Sequence, residues 1–261
     1  MSTIAHPYAG RPELDRKAHL HAVALAAASS SKLLSVHADD GSPDQSPPPR
    51  ASDVLRGWGK DPAAVEHELR VHGSVEDPVG TVLALLEQVE PTLVVLGTAQ
   101  HKGSLRALLE SRAEAIAAHL SVPALIVPTE GRDFVGPSGD LELKRVIVPS
   151  GDAAAVAAAV ERVSWFVDLA RTDSVDAELL HVGGDDAPEL SLPDHPKIRW
   201  RRLERSGALE QTIAAEAQAA DLAVMTTRGH DSVLDWFLGS HTERVLRRLD
   251  CPLLVVPLKE R

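Results

Sequence analysis

Short runs of branched aliphatic residues recur along the chain, separated by longer stretches with helical periodicity. Residues 145–149 (RVIVP) form one such run and read as a buried strand. Residues 153–170 are alanine-rich, with larger apolar side chains at Val156, Val160, Val163 and Val167 spaced to line one helix face. Residues 178–182 (ELLHV) predict a second strand, and residues 198–203 a third that is more polar and so nearer a sheet edge. A helix is expected over 209–220 and a fourth strand over 222–225. Thr242, Val245, Leu246 and Leu249 fall at i, i+3, i+4 and i+7, one stripe of a further helix. Cys251-Pro252 ends it before a fifth strand at 253–256.

The first part of the chain follows the same order, with strands expected at 3–6, 33–36, 68–72, 93–96 and 124–127. A helix after Asp77-Pro78 carries Val79, Val82, Leu83 and Leu86, with proline in the first turn, where its missing N–H costs nothing. The parallel is written into the residues. Shifted by 129 positions, segment 91–128 lies on 220–257 without a gap, and thirteen of its 38 positions are identical. Among them are Thr98/Thr227, His101/His230, Ser111/Ser240, Glu114/Glu243 and Pro123/Pro252, so apolar low complexity does not explain the match. Two tandem copies of one domain follow, residues 1–130 and 141–261, joined by a glycine-rich linker at 131–140. Residues 39–52 (DDGSPDQSPPPRAS) read as a surface loop inside the first copy. Apolar strands alternating with helices imply an α/β fold, each copy a doubly wound five-stranded parallel sheet covered on both faces. Ligands of such sheets sit beyond the carboxyl ends of the strands, where the strand order reverses.

Composition narrows the functions open to such a fold. The 261 residues are 44% hydrophobic and 25% charged, a globular balance. Lys and Arg number 27 against 38 Asp and Glu, a net charge of 27 − 38 = −11, which argues against nucleic acid or an anionic membrane as a partner. Aromatic residues are 3%, too few for base-stacking platforms. The single cysteine, Cys251, excludes an internal disulfide framework. The first 17 residues are polar, with Pro7 and Pro12, unlike a signal peptide, and no uncharged apolar stretch nears the ~18 residues that would span a bilayer. A cytoplasmic protein is expected.

The candidate chemistry lies after the fourth strand of the second copy. Thr226-Thr227-Arg228-Gly229 is followed by nine residues and then Gly239-Ser240, which opens the last helix. Glycine lets backbone N–H groups approach an anion closely, and a helix N-terminus offers unpaired N–H groups and partial positive charge. Such a loop would hold phosphates. This run resembles the universal stress protein family, whose hallmark is Gly-x-x-Gly, nine residues, then Gly-Ser/Thr; the chain resembles a tandem member with two such domains. The resemblance implies the universal stress protein fold, of the adenine nucleotide alpha hydrolase-like kind, and a stress-response regulator. It implies ATP or another adenine nucleotide, with Mg, held in the second copy by Ser150, Gly151, Asp152, Val182, Thr226, Arg228, Gly229, Gly239, Ser240 and His241. It also implies that the two copies pack as an intramolecular pseudo-dimer, with a homodimer of chains as a further assembly.

The match is incomplete. Thr226 stands where the first glycine belongs, and Gly151 where the family has an Asp, with Asp152 one place late. In the first copy Gly97 remains, but Gln100 and Glu110 replace the later glycines, and Tyr8-Ala9 follows Pro7 without the Asp. Ser240-x-x-Glu243 and Ser111-x-x-Glu114 are capping boxes, which explain both serines without a ligand. A second reading is therefore an interaction or scaffold module that binds no nucleotide and docks an unidentified protein. Of the 12 histidines none forms a His-x-x-x-His pair, and His19 and His21 point to different helix faces, so no metal site is expected. Cys251 reads as a small buried side chain, and Trp165, Trp200 and Trp236 as packing residues. Arg244, Arg247 and Arg248 suit a helix C-terminus. No residue is a convincing general base, so no enzyme beyond slow ATP hydrolysis is expected.

Overall fold

The computed structural model describes residues 2–42, 45–74, 76–98, 112–150, 153–183, 191–228 and 249–258. The chain divides into two compact units, residues 1–130 with 135–141, and residues 131–134 with 142–261.

In unit 1 the strands are β1 (Thr3–Pro7), β2 (Lys32–Asp39), β3 (His67–Gly73), β4 (Leu93–Thr98) and β5 (Ala124–Pro128). They lie in the order β3-β2-β1-β4-β5, and the pairings are parallel. The helices are α1 (Pro12–Ser29), α2 (Ala51–Gly57), α3 (Pro78–Val89) and α4 (Arg112–His119). β1 pairs with β2 from Thr3↔Lys32 to Pro7↔Val36. α1 packs on β1, β4 and α2, while α3 packs on β1, β2 and α4, so helices cover both faces of the sheet. The strands are buried accordingly: Ile4, Leu33, Val36, Leu93, Val94, Val95, Leu125 and Val127 have no exposed surface. Each such side chain contributes roughly 1.5–3 kcal/mol on leaving water. Asp77 caps α3, its carboxylate accepting the Gly80 N–H at 2.9 Å with Pro78 in the first turn.

In unit 2 the strands are β6 (Arg145–Pro149), β7 (Val175–Val182), β8 (Ile198–Arg205), β9 (Leu222–Arg228) and β10 (Leu253–Leu258), ordered β10-β9-β6-β7-β8 and again paired in parallel. α5 (Ala153–Ala170) packs on β6, β9 and β10, and α6 (Leu209–Ala217) on β6 and β7. The expected stripe Val156, Val160, Val163 and Val167 is buried, joined by Phe166, whose ring meets Phe134 edge-on at 6.1 Å. β8 is the edge strand foreseen from its polarity. Asp221 ties strand beginnings together: one carboxylate oxygen accepts the Lys144 and Arg145 N–H groups at 2.9 and 2.8 Å, and the other holds Arg132 at 3.0 Å.

Several boundaries differ from the sequence reading. β7 begins at Val175, β9 runs to Arg228, and α6 stops at Ala217. The stretch read as a loop over 39–52 holds the start of α2, whose seven residues make only about two turns, too few for a periodic signal. His19 and His21 do point in different directions, yet both are buried, because α1 is enclosed over most of its circumference. Residues 135–141 pack on unit 1, where Gly139, with φ +73°, lies against the ring of Trp58, and Lys60 reaches the Gly139 carbonyl and the Asp140 carboxylate at 3.0 and 2.8 Å.

One glycine sets the spacing of a helix on the sheet. A Cβ at Gly97 on β4 would run into the Leu14 carbonyl oxygen on α1. Gly97→Ala is expected to destabilise unit 1 by about 1–3 kcal/mol through forced separation of α1 and β4, read as a lowered urea midpoint.

Candidate crevices at the strand ends

The chain runs outward from β1 to β3 and then returns past β1 to β4; unit 2 repeats this about β6 and β9. The reversal leaves a crevice at the carboxyl ends of β1 and β4 in unit 1, and of β6 and β9 in unit 2.

In unit 2, Ser150 follows β6 directly. Its N–H donates to the Leu180 carbonyl at 2.7 Å, and its hydroxyl lies 3.0 Å from His181 Nδ1. Val182 ends β7, Thr226 lies near the end of β9, and Arg228 is the last residue of β9. Ser150, Val182 and Thr226 are half-buried. The structure thus gathers Ser150, Val182 and Thr226, with the backbone of Arg228, at the ends of the adjacent strands β6, β7 and β9. Gly151, Asp152, Gly229, Gly239, Ser240 and His241 lie outside the described residues, as do His101, His230, Gln100 and Glu110. His181 was not foreseen at the crevice. Its signal in the sequence is a polar residue at the end of an otherwise apolar strand run.

The corresponding place in unit 1 is occupied by the chain itself. Tyr8 follows β1 as Ser150 follows β6, and its N–H donates to the Val36 carbonyl at 2.9 Å. Strand register makes His37 the counterpart of His181: Pro7 pairs with Val36 one residue before His37, and Pro149 with Leu180 one residue before His181. The Tyr8 ring stacks on His37 with centroids 4.7 Å apart and planes at 18°. His37 Nδ1 is bonded to the Tyr8 carbonyl at 2.9 Å, and its Nε2 meets the Gln45 side-chain amide at 2.8 Å. Gln45 is anchored in turn to the Asp40 carboxylate at 2.7 Å. Burial, then the charges of Asp15 and Asp39, push the Tyr8 hydroxyl up to about 12, so it remains a neutral aromatic wedge. The backbone donors of the loop after β1 are satisfied internally as well. The two Asp15 oxygens accept the Ala9 and Arg11 N–H groups at 2.8 and 2.9 Å.

Gly97 and Thr226 occupy the same place in the repeat. Close approach of α1 explains the glycine in unit 1, while unit 2 accommodates a half-buried threonine there. In unit 1 the position is governed by helix packing. Cys251 is buried, and burial pushes its thiol up to about 12, which leaves it unreactive. Among the described residues no cluster of His, Cys, Asp and Glu could hold a metal ion, and no helix is long and apolar enough to cross a membrane.

Comparison with known proteins agrees with this architecture. The family model described as the universal stress protein family matches residues 1–128 and 185–257. Universal stress protein MJ0531 of Methanocaldococcus jannaschii is 34% identical over 144 residues, 52% of this chain and 84% of that protein. The crystal structure of a universal stress protein from Archaeoglobus fulgidus superposes with a TM-score of 0.68 at 18% identity, covering 98% of this chain and 96% of that one. A functionally unknown protein, PA1789 of Pseudomonas aeruginosa, has the same fold, with a TM-score of 0.58 at 14% identity over 98% of this chain and 92% of its own.

The internal closure of unit 1 has a measurable consequence. Asp15→Ala leaves two loop N–H groups without acceptors and is expected to cost unit 1 about 1–3 kcal/mol in urea unfolding.

Proposed function

The chain belongs to the universal stress protein family, and on that premise we propose that it is a cytoplasmic stress-response regulator that binds ATP or another adenine nucleotide, with Mg, in unit 2 alone. The observation that carries this reading is the contrast between two equivalent crevices. In unit 1 Tyr8, His37 and Gln45 fill the strand ends, whereas in unit 2 the residue in the place of Tyr8 is the small Ser150. The Gly229, Gly239 and Ser240 pattern supports the same unit, because its counterparts Gln100 and Glu110 are bulky in the first copy. Ser150, Val182 and Thr226 stand where a nucleoside would meet the strand ends. Any hydrolysis would be slow, and the nucleotide would serve as a signal that changes how the chain meets a protein partner.

Thr226 and Gly151, which depart from the family pattern, favour a second reading: an interaction module that keeps the fold and binds no nucleotide. Isothermal titration with Mg-ATP separates the two. The wild-type chain is expected to bind one equivalent. In Gly239→Glu a carboxylate faces the phosphates at a cost of about 1 kcal/mol or more, which weakens binding by roughly fivefold or more. Equal heats for both chains, or none from either, would leave the interaction module as the function.

A further inference from the structure

We propose that His6, His19 and His67 form a proton-binding row inside unit 1, which holds the unit closed only while all three imidazoles are neutral, so that acidification releases it.

His6 on β1 is fully buried, His19 on α1 is 2% exposed, and His67 is the half-buried first residue of β3. The His6 and His19 ring centroids are 5.4 Å apart, and those of His19 and His67 are 5.8 Å apart. Ser35 on β2 lies between the outer two: it is the register partner of His6, and its hydroxyl is 2.9 Å from His67 Nε2. Three strands and one helix therefore bring three titratable rings into one small volume.

The hydrogen bonds define which protonation state fits. His67 Nδ1 accepts the Ala51 N–H at 3.0 Å, so this nitrogen carries no proton, and Nε2–H is left to donate to Ser35. Ala51 is the first residue of α2, and Arg50 before it supplies no side-chain cap. The neutral imidazole therefore caps α2, and a proton on Nδ1 would set one donor against another. His6 Nδ1–H donates to the Val95 carbonyl on β4 at 3.0 Å, and its Nε2 is buried without a partner. Neither nitrogen of His19 has a partner at hydrogen-bonding geometry, although the Pro49 carbonyl lies beside the ring. A second proton on His6 would sit on Nε2, which has no acceptor, and a charge on His19 would have the Pro49 carbonyl beside it against the larger cost of burial.

The charged surroundings offer little relief. From α1, Asp15 is the carboxylate that favours a charged His6, but both its oxygens hold backbone N–H groups. Arg50, at the start of α2, opposes a charge on His67. On β1 the Tyr8 ring stands 6.4 Å from His6 and is neutral, and on β2 Ser35 contributes only a hydroxyl. Glu68, next to His67 on β3, is paired with Lys32 and Arg70. On α1, His21 turns its Nδ1 to the Lys17 carbonyl. Burial, then Arg50 and His6, pulls His67 down to about 4. Burial lowers His6 against the Val95 carbonyl and Asp15, and burial followed by the other two rings holds His19 well below the usual imidazole range.

The sign follows by linkage. Unfolded histidine ionises near pH 6.5, whereas the folded row stays neutral below that value. Stability is complete above about pH 6.5 and is lost as pH falls toward the folded value, about 4 for His67. Each histidine that takes up a proton on unfolding raises the unfolding constant by up to about tenfold per pH unit, so three give about a thousandfold. His67 caps α2, so α2 is released together with β1 and α1.

The test uses the full chain, incubated between pH 7.5 and 4 and then pulse-labelled with deuterium at one common pH. Peptides covering 2–8, 12–29 and 51–57 are expected to lose protection together, with an opening constant that rises a hundredfold or more per pH unit between about pH 6 and 4.5. Peptides covering 145–149 and 153–170 are expected to stay protected through that window. His19→Leu, which removes a ring without a hydrogen bond, is expected to flatten the slope by about tenfold per unit. A wild-type slope of about tenfold per unit or less, an unchanged slope in His19→Leu, or unit 2 opening with the same steepness would each overturn the proposal. Should His19→Leu fail to fold, histidine NMR of the wild-type chain decides. All three rings neutral in the folded protein at pH 5.5 support the row, and any of them titrating near 6.5 in the folded protein overturns it.

Discussion

A parallel sheet has no face to spare for water, and the arrangement of this chain follows from that constraint. Strands such as Val94–Val95 and Val146–Ile147–Val148 are buried on both sides, so helices must cover both faces. The chain achieves this by winding outward from a central strand and then reversing, in unit 1 about β1 and in unit 2 about β6. The reversal separates two neighbouring connections and opens a crevice at the strand ends. That crevice exposes backbone N–H groups and side chains of whatever residues follow the central strand. Each unit must therefore place something against them: its own atoms, solvent or a ligand.

The two units answer that need differently on equivalent backbones. After β1 the side chain is a tyrosine, stacked on His37 and latched through Gln45, and Asp15 takes the loop amides. After β6 it is a serine bonded to His181. A ring of tyrosine's size has the flat shape and hydrophobic faces of a nucleobase, so unit 1 carries within its own sequence an occupant of the kind unit 2 would recruit from solution. Gly97 and Thr226 make the same point about inference from motifs. A glycine that resembles part of a phosphate cradle is required in unit 1 by the Leu14 carbonyl, and a threonine in the same place is accommodated in unit 2.

Much of the fold was legible because burial on both faces imprints itself on composition. RVIVP, ELLHV and the valine stripe of α5 each carry their structure in their apolar spacing, and the repeat between 91–128 and 220–257 reveals two copies of one design. Edges and short elements were harder to see. β7 extends back to Val175 through the mixed residues VDA, and α2 is too short to show a period. For the candidate site, the sequence placed the ends of β6 and β7 at Pro149 and Val182 but stopped β9 three residues short of Arg228, and Ser150, Val182 and Thr226 lie at the ends of adjacent strands. It could not reveal the plug in unit 1, because Tyr8, His37 and Gln45 are brought together by strand register and a loop, neither of which leaves a pattern along the chain. The histidine row was missed for a related reason. His6, His19 and His67 lie on three different elements, and pairwise spacing along one helix, the usual test for clustered histidines, does not apply to them.

The plug and the row are one continuous arrangement. The Tyr8 ring that rests on His37 also lies 6.4 Å from His6, which neighbours His19, which in turn neighbours His67. Unit 1 fills its crevice from within, with aromatic and imidazole rings in place of aliphatic side chains. Imidazoles pack as flat, weakly polar groups only while they are uncharged; one proton turns a filler into a buried cation. On the proposal above, the row packed behind the plug would make the closure of unit 1 conditional on pH, a condition that an interior of leucine and valine would not impose. Unit 2, with Phe134, Phe166 and its valine stripe at the core, carries no such condition in its described interior. Within one chain, the half whose central strand is followed by the small Ser150 has the more ordinary core, and the half whose strand ends hold Tyr8 and His37 has the buried row of histidines.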